Sequence, residues 1–292
     1  MPVAAAGAAC SPVLTGLVGA PISHSASPAM HEAAAQGAGF ALQYRLIEIA
    51  GASRETLDIV LAGLRQKGFA GVNVTFPYKE MIVDLIDALS PEARAIGAVN
   101  TVVNKGVALI GHNTDASGFA TAFRAVFGKA APGSVALIGA GGVGRAIAFA
   151  LAELGADELR IVDRDHVKAQ ALAKALDGRV RSQTAAGPGE ALAGATGLVN
   201  ATPAGMLPDR SSPVPAELLH SGLWVADAVY WPLWTPLLLA ARQRGAKLIT
   251  GRELCIHQAH DSFKLFTDIE PDTKLMGAAF DAVMRRRAQD KG

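Results

Sequence analysis

Gly139-Ala140-Gly141-Gly142-Val143-Gly144 lies between a short apolar run at 135–138 and a helical pattern that continues to 154 and stops at Gly155. A glycine-rich turn between a strand and a helix is the setting in which this spacing reads as a dinucleotide fingerprint. Gly139 permits the tight turn, Gly141 lets the backbone approach a pyrophosphate, and Gly144 lets helix and strand pack closely. The helix start supplies free N–H groups and the positive end of a dipole. The next apolar run, 158–162, leads to Asp163, 24 residues after Gly139. A carboxylate there can accept both ribose hydroxyls of an adenosine. Further runs at 179–183, 197–200, 223–227 and 246–249 alternate with helical patterns, one of them 236–244 closed by Gly245. Six strands so arranged make one complete doubly wound unit.

Upstream of Ser134 the alternation continues less regularly and argues for α/β structure with parallel sheets. Runs at 14–19, 44–49, 71–75, 98–103 and 107–110 read as strands. Ser27 and Pro28 open a helix to about 36, with Ser27 as N-cap and Pro28 at the first helical position. Past Gly251, helices at 253–267 and 271–287 have no strand left to cover in the second sheet, so they should bridge back to the first part. The expected fold class is α/β. An N-terminal α/β substrate domain (1–115) precedes a Rossmann dinucleotide-binding domain (116–251), helices at 252–292 return to the first domain, and the active site lies in the cleft.

The 292 residues are half hydrophobic and 18% charged, enough for two domains of roughly 100–150 residues with sizeable cores. A net charge of +1 without a basic block argues against nucleic acid and anionic membranes as partners. No apolar run reaches the ~18 residues of a membrane span. Cys10 and Cys255 cannot build a disulfide framework and point to a reducing compartment. The first ten residues lack the charged region of a signal peptide, so a cytoplasmic protein is expected.

Asn73-Val-Thr-Phe-Pro-Tyr-Lys79 puts Thr75 and Lys79 at the end of an apolar strand. A lone lysine there is ordinarily a solvated surface residue. Gly111-His-Asn-Thr-Asp115-Ala-Ser-Gly118 changes that, because it places a carboxylate at the junction of the halves. A lysine and an aspartate in a partly dry cleft can share a proton, burial disfavouring the ammonium and the carboxylate favouring it. Such a pair can shuttle a proton to or from a carbinol oxygen. Ser23, Ser25 and Ser27 surround a helix start suited to a carboxylate, and Asn100 brings an amide into an apolar strand. His24, His31, His112 and His257 show no metal-ligand spacing and are taken as structural or hydrogen-bonding, with no metal expected. Trp224, Trp231 and Trp234 are assigned to packing. Asp163 and Asp165 repel a 2′-phosphate, whereas Arg164 could pair with one or stack on adenine. NAD is therefore preferred, with NADP the alternative.

Taken in order, these motifs resemble the shikimate dehydrogenase family, including its quinate/shikimate branch, from Leu14 to the last helix. The most specific pieces are Ser25-Ala-Ser27-Pro28, Asn73–Lys79, Gly97-Ala-Val-Asn-Thr101, Asn113-Thr-Asp115, Gly139–Gly144, Asn200-Ala-Thr-Pro-Ala-Gly-Met206, Asp227-Ala-Val-Tyr230, Thr235-Pro-Leu237 and Gln258-Ala259. The resemblance implies Lys79 as proton donor and acceptor with Asp115 beside it, and Ser25 and Ser27 holding a substrate carboxylate. It implies Thr75, Asn100, Asp115 and Gln258 on the ring hydroxyls and Tyr230 lining the pocket. On the cofactor side it implies the loop Gly139, Ala140, Gly141, Gly142 and Val143, then Asp163 and Arg164. Thr202 would lie near the ribose, and the Ala228 and Gly251 backbones near the nicotinamide.

Asp163-Arg-Asp165 stands where NADP-dependent members of the family carry Asn-Arg-Thr or Asn-Arg-Ser. Gly251-Arg-Glu-Leu-Cys-Ile-His-Gln258 departs from Gly-Leu-Gly-Met-Leu-Val-x-Gln toward the NAD-linked branch. Ser27 stands where quinate users of that branch tend to have Thr. The expected activity is reversible oxidation of shikimate to 3-dehydroshikimate, with some turnover of quinate, in a monomer or homodimer whose partners are small molecules. Quinate or an amino analogue as main substrate is the alternative. A non-catalytic dinucleotide sensor is the remote one.

Overall fold

The computed structural model describes residues 11–289; Cys10 and the stretch read for a signal peptide lie outside the described residues. The first part runs β1 (Val13–Gly19), α1 (Ser27–Gly37), β2 (Leu42–Glu48), α2 (Arg54–Gln66), β3 (Gly71–Val74), β4 (Ala88–Leu89), α3 (Pro91–Ile96), β5 (Thr101–Asn104) and β6 (Leu109–His112). These strands form one sheet in the order β2-β1-β3-β5-β6-β4. β1 pairs in parallel with β2 and β3, whereas β5 runs antiparallel to β3 and β6. The sheet is therefore mixed rather than parallel throughout. The short connection from β5 to β6 permits only a hairpin, since a parallel pair needs a long crossover.

α4 (Thr114–Phe127) leads into β7 (Ser134–Ile138), α5 (Gly142–Glu153), β8 (Glu158–Val162), α6 (His166–Ala175), β9 (Arg181–Thr184), α7 (Pro188–Leu192), β10 (Gly197–Asn200), β11 (Trp224–Asp227), α8 (Pro236–Gln243) and β12 (Lys247–Ile249). The six strands are parallel, in the order β12-β11-β10-β7-β8-β9. The order reverses between β7 and β10, so the crevice above the carboxyl end of β7 is where a doubly wound sheet binds its ligand. Gly139–Gly144 occupies that point.

Local sequence accounts for the helices. Ser53 caps α2 by accepting from the Thr56 N–H, and Leu57, Leu61 and Leu64 form its buried stripe. Phe119 and Phe123 sit one turn apart on the buried face of α4. Phe123 meets Trp224 edge-on, with ring centroids 5.2 Å apart. Burying each such ring contributes about 1.5–3 kcal/mol. α9 (Gly251–Thr267) and α10 (Thr273–Gln289) cover the first sheet: Ile256, Phe263, Met276 and Phe280 share a core with Leu17, Met30 and Tyr44. No helix among the described residues is long and apolar enough to cross a membrane.

Several boundaries differ from the sequence-based expectation. The strand expected at 98–103 begins at Thr101, and the one expected at 107–110 begins at Leu109. Val107 is 92% exposed at the tip of the hairpin, where Lys105 N–H bonds the Ala108 carbonyl. An apolar residue at a turn tip imitates a strand start. β4 is two residues long, too short to leave a pattern. Ser27 does not cap α1. It is the first helical residue, and its hydroxyl makes no capping bond.

Candidate active site

Lys79 follows the end of β3, and Asp115 lies in the first turn of α4. Asn113 sets that turn, its side chain accepting from the N–H groups of Asp115 and Ala116. Lys79 Nζ donates to Asp115 Oδ2 at 2.6 Å, with the side chains only 12% and 7% exposed. Asn100 Nδ2 donates to Asp115 Oδ1 at 3.0 Å and to Thr114 Oγ1 at 2.9 Å. Asn100 Oδ1 in turn accepts from Thr114 N at 2.7 Å. Asn73 extends the network by donating to Thr101 Oγ1 and the Asn100 carbonyl, while accepting from the Tyr44 hydroxyl at 2.8 Å. Buried polar groups are costly unless partnered; here the mutual bonds fix both carboxylate oxygens and leave the Lys79–Asp115 pair rigidly placed.

Ser25 and Ser27 lie beside one another, Oγ to Oγ at 3.1 Å. Ser25 faces the Tyr230 hydroxyl and Ser27 that of Tyr44. Burial drives both phenols well above their ordinary range, so they remain neutral donors. Gln258 lies on α9 where that helix packs on α4: a Cβ on Gly118 would come within 2.7 Å of the Gln258 backbone nitrogen. Its side chain donates to the Cys255 carbonyl. The Cys255 thiol is buried and pushed up to about 12 by loss of solvent, so it stays protonated. Thr75 lies at the carboxyl end of β3, its amide bonded to the Val18 carbonyl. Lys79, Asp115 and Asn100 are thus joined by direct bonds, and Ser25, Ser27 and Tyr230 form a second polar group.

The glycine loop meets Lys79. A Cβ on Gly142 would stand 2.9 Å from that of Lys79, and one on Gly144 would lie 2.0 Å from the Gly139 carbonyl oxygen. At Gly141 a Cβ would meet nothing, and α5 begins without a side-chain cap. Free N–H groups at an open helix start make a cradle that fits a pyrophosphate. Asp163 accepts from the Ala140 N–H at 2.6 Å and the Asp165 N–H at 2.8 Å, which fixes its carboxylate at the loop. Asp165 caps α6 through Val167 and Lys168. Arg164 lies within the field of Asp209. Thr202 packs over Gly139, and Gly251 packs on the Val229 carbonyl beside Ala228. Gly142 thus stands next to Lys79, with Asp163 and Thr202 beside the same loop.

Sequence reasoning quoted Asn73 and Asp227 within motifs without a role for either, and missed Tyr44 and Arg145. Arg145 of α5 donates to the Ile96 carbonyl at 2.6 Å and ties the nucleotide sheet to α3. His31 carries no hydrogen bond on either ring nitrogen; it stacks 4.6 Å from Tyr44, and burial pulls it down to about 3. Its role is packing. Trp224 is packed against Phe123, whereas Trp234 is exposed, with Arg242 over its ring.

Asp227 anchors the two loops at the carboxyl ends of β10 and β11. Its oxygens accept from Asn200 Nδ2 (2.9 Å), Val229 N (3.0 Å) and Thr235 Oγ1 (2.6 Å). Asp227→Ala takes a shared acceptor from three donors, for a loss of about 2–4 kcal/mol and a Tm lowered by roughly 3–7 °C. Burial raises this carboxyl from 3.8 to about 6, so the native state binds its proton more tightly than the unfolded chain. Its contribution to stability is full below 3.8 and is lost as pH rises through about 6. Tm followed across that window should fall less for Asp227→Asn than for the wild type; identical slopes would refute the assignment.

The profile of the shikimate dehydrogenase substrate binding domain matches residues 17–102, and that of the ThiF family matches residues 120–176. A shikimate dehydrogenase (NADP(+)) of Streptomyces avermitilis is 43% identical over 90% of this chain and 93% of its own length. A quinate/shikimate dehydrogenase (NAD(+)) of Corynebacterium efficiens is 41% identical over 92% and 97%. Quinate dehydrogenase from Corynebacterium glutamicum, solved in complex with NAD, superposes with a TM-score of 0.85 at 39% identity, covering 93% of this chain and 99% of that one.

Proposed function

The chain belongs to the shikimate dehydrogenase family of NAD(P)-linked oxidoreductases, and we propose that it oxidises shikimate reversibly to 3-dehydroshikimate, preferring NAD and accepting quinate less well. The Lys79–Asp115 pair carries this reading: an acid/base couple at 2.6 Å, nearly buried, set against the start of α5. Ser25, Ser27 and Tyr230 hold the acid's carboxylate. Thr75, Asn100, Asp115 and Gln258 take its ring hydroxyls. Gly139–Gly144 receives the pyrophosphate, Asp163 and Thr202 the riboses, Arg164 the adenine side, and the Ala228 and Gly251 backbones the nicotinamide. Bound there, NAD supplies the hydride acceptor. Lys79 Nζ, oriented by Asp115, takes the carbinol proton in oxidation and returns it in reduction. Asn100 keeps the Asp115 carboxylate turned toward the lysine.

Incubation of the protein with shikimate and NAD should yield 3-dehydroshikimate and reduced nicotinamide in equal amounts. No turnover of either ring acid would end this reading in favour of a dinucleotide sensor. Ser27 supports shikimate over quinate, because two small rotating hydroxyls suit the acid with a flat, unsaturated carbon at its carboxylate. Threonine would add a methyl and fix the rotamer. Ser27→Thr is therefore expected to move the kcat/KM ratio toward quinate. An unchanged ratio would remove Ser27 from substrate choice.

A further inference from the structure

Two turns along one face of α10 separate Phe280 from Arg287. Phe280 meets the Tyr230 ring edge-on at 5.9 Å, and Val283 and Met284 pack between in the same core. Arg287 continues this inward face and lies half-buried, with its guanidinium carbon 5.3 Å from the centre of the Trp231 ring. Its neighbours Arg285 and Arg286 are exposed. The other arginine at this junction, Arg252, has its carboxylate in Asp281 at 2.7 Å. Arg287 has no ion-pair partner among the described residues, although burial works against its charge. The groups that feel its field are the Tyr230 hydroxyl and the Cys255 thiol. Both are neutral, and the Tyr230 hydroxyl is the one that Ser25 faces.

A carboxylate bound by hydroxyls alone in a half-dry pocket lacks a counter-charge, and charge-assisted bonds to arginine are the stronger kind. Lys79 is already committed to Asp115. We propose that Arg287 is the counter-ion of the substrate carboxylate gripped by Ser25, Ser27 and Tyr230, making the last helix part of the acid-recognition site. This rests on the carboxylate placement given above. Its place over the Trp231 ring limits the side-chain freedom lost on binding.

Titration calorimetry with shikimate and with its methyl ester, on the wild type, Arg287→Met and Arg287→Lys, tests this. Arg287→Met should weaken shikimate binding about 10- to 100-fold, the usual worth of a bond to a charged group. Arg287→Lys should fall between, and ester binding should be the same in all three proteins. In turnover, KM for shikimate should rise while kcat and KM for NAD stay near wild type. Unchanged shikimate binding in Arg287→Met, or an equal loss for the ester, would overturn the proposal and assign Arg287 to packing. A wild type that binds shikimate without oxidising it sinks the assigned reaction alone, and one that binds no ring acid sinks both.

Discussion

Replacing Lys79 with alanine is expected to lower kcat by about 10²–10⁴, the usual worth of a positioned acid/base group, with NAD affinity near wild type. The lysine reaches Asp115 from the end of β3, and its stem rests against Gly142. Truncation removes the proton carrier but not the cradle, because the loop is shaped by Gly139, Gly144 and the Asp163 carboxylate. Lys79→Ala also leaves Asp115 without its cation, so thermal stability should be measured beside kcat. Retention of most activity near neutral pH would take Lys79 out of the mechanism.

Asp163→Asn is expected to change the cofactor rather than the chemistry. In the wild type, a fixed carboxylate facing a 2′-phosphate is a like-charge juxtaposition costing several kcal/mol, so NAD should exceed NADP in kcat/KM by about 10²-fold or more. The amide removes the charge and can still accept one of the two N–H groups that hold Asp163. The preference should then shrink by roughly tenfold, with kcat for NAD little changed. Asp165 keeps its charge but is engaged in capping α6, so it should contribute less than Asp163. A wild type preferring NADP would mean that Arg164 outweighs both carboxylates.

The features legible in the sequence are those that local sterics impose. The glycine loop, the strand before it and the carboxylate after the next strand must be close in sequence to do their work, and they stand where their spacing places them. Lys79 and Asp115 were legible as a pair because one follows the end of β3 and the other opens α4, at the junction of the two halves. Less legible were partners brought from afar. Tyr44 reaches Asn73 across the sheet, Arg145 crosses to Ile96, and Arg287 arrives from the last helix. Each is an ordinary residue in its own segment, and only the packing of α10 on the first sheet gives the last one a place at the pocket. Ser27 misled in the opposite direction. A serine before proline reads as a cap, yet its hydroxyl turns to Ser25.

The most direct test is kcat/KM for shikimate and quinate, each with NAD and with NADP, on the purified wild-type protein. The highest value should belong to shikimate with NAD, quinate with NAD should be measurable but lower, and both NADP reactions should trail. Failure to reduce either cofactor with either acid would contradict the assignment, and a higher value for quinate than for shikimate would contradict the role given to the serine pair.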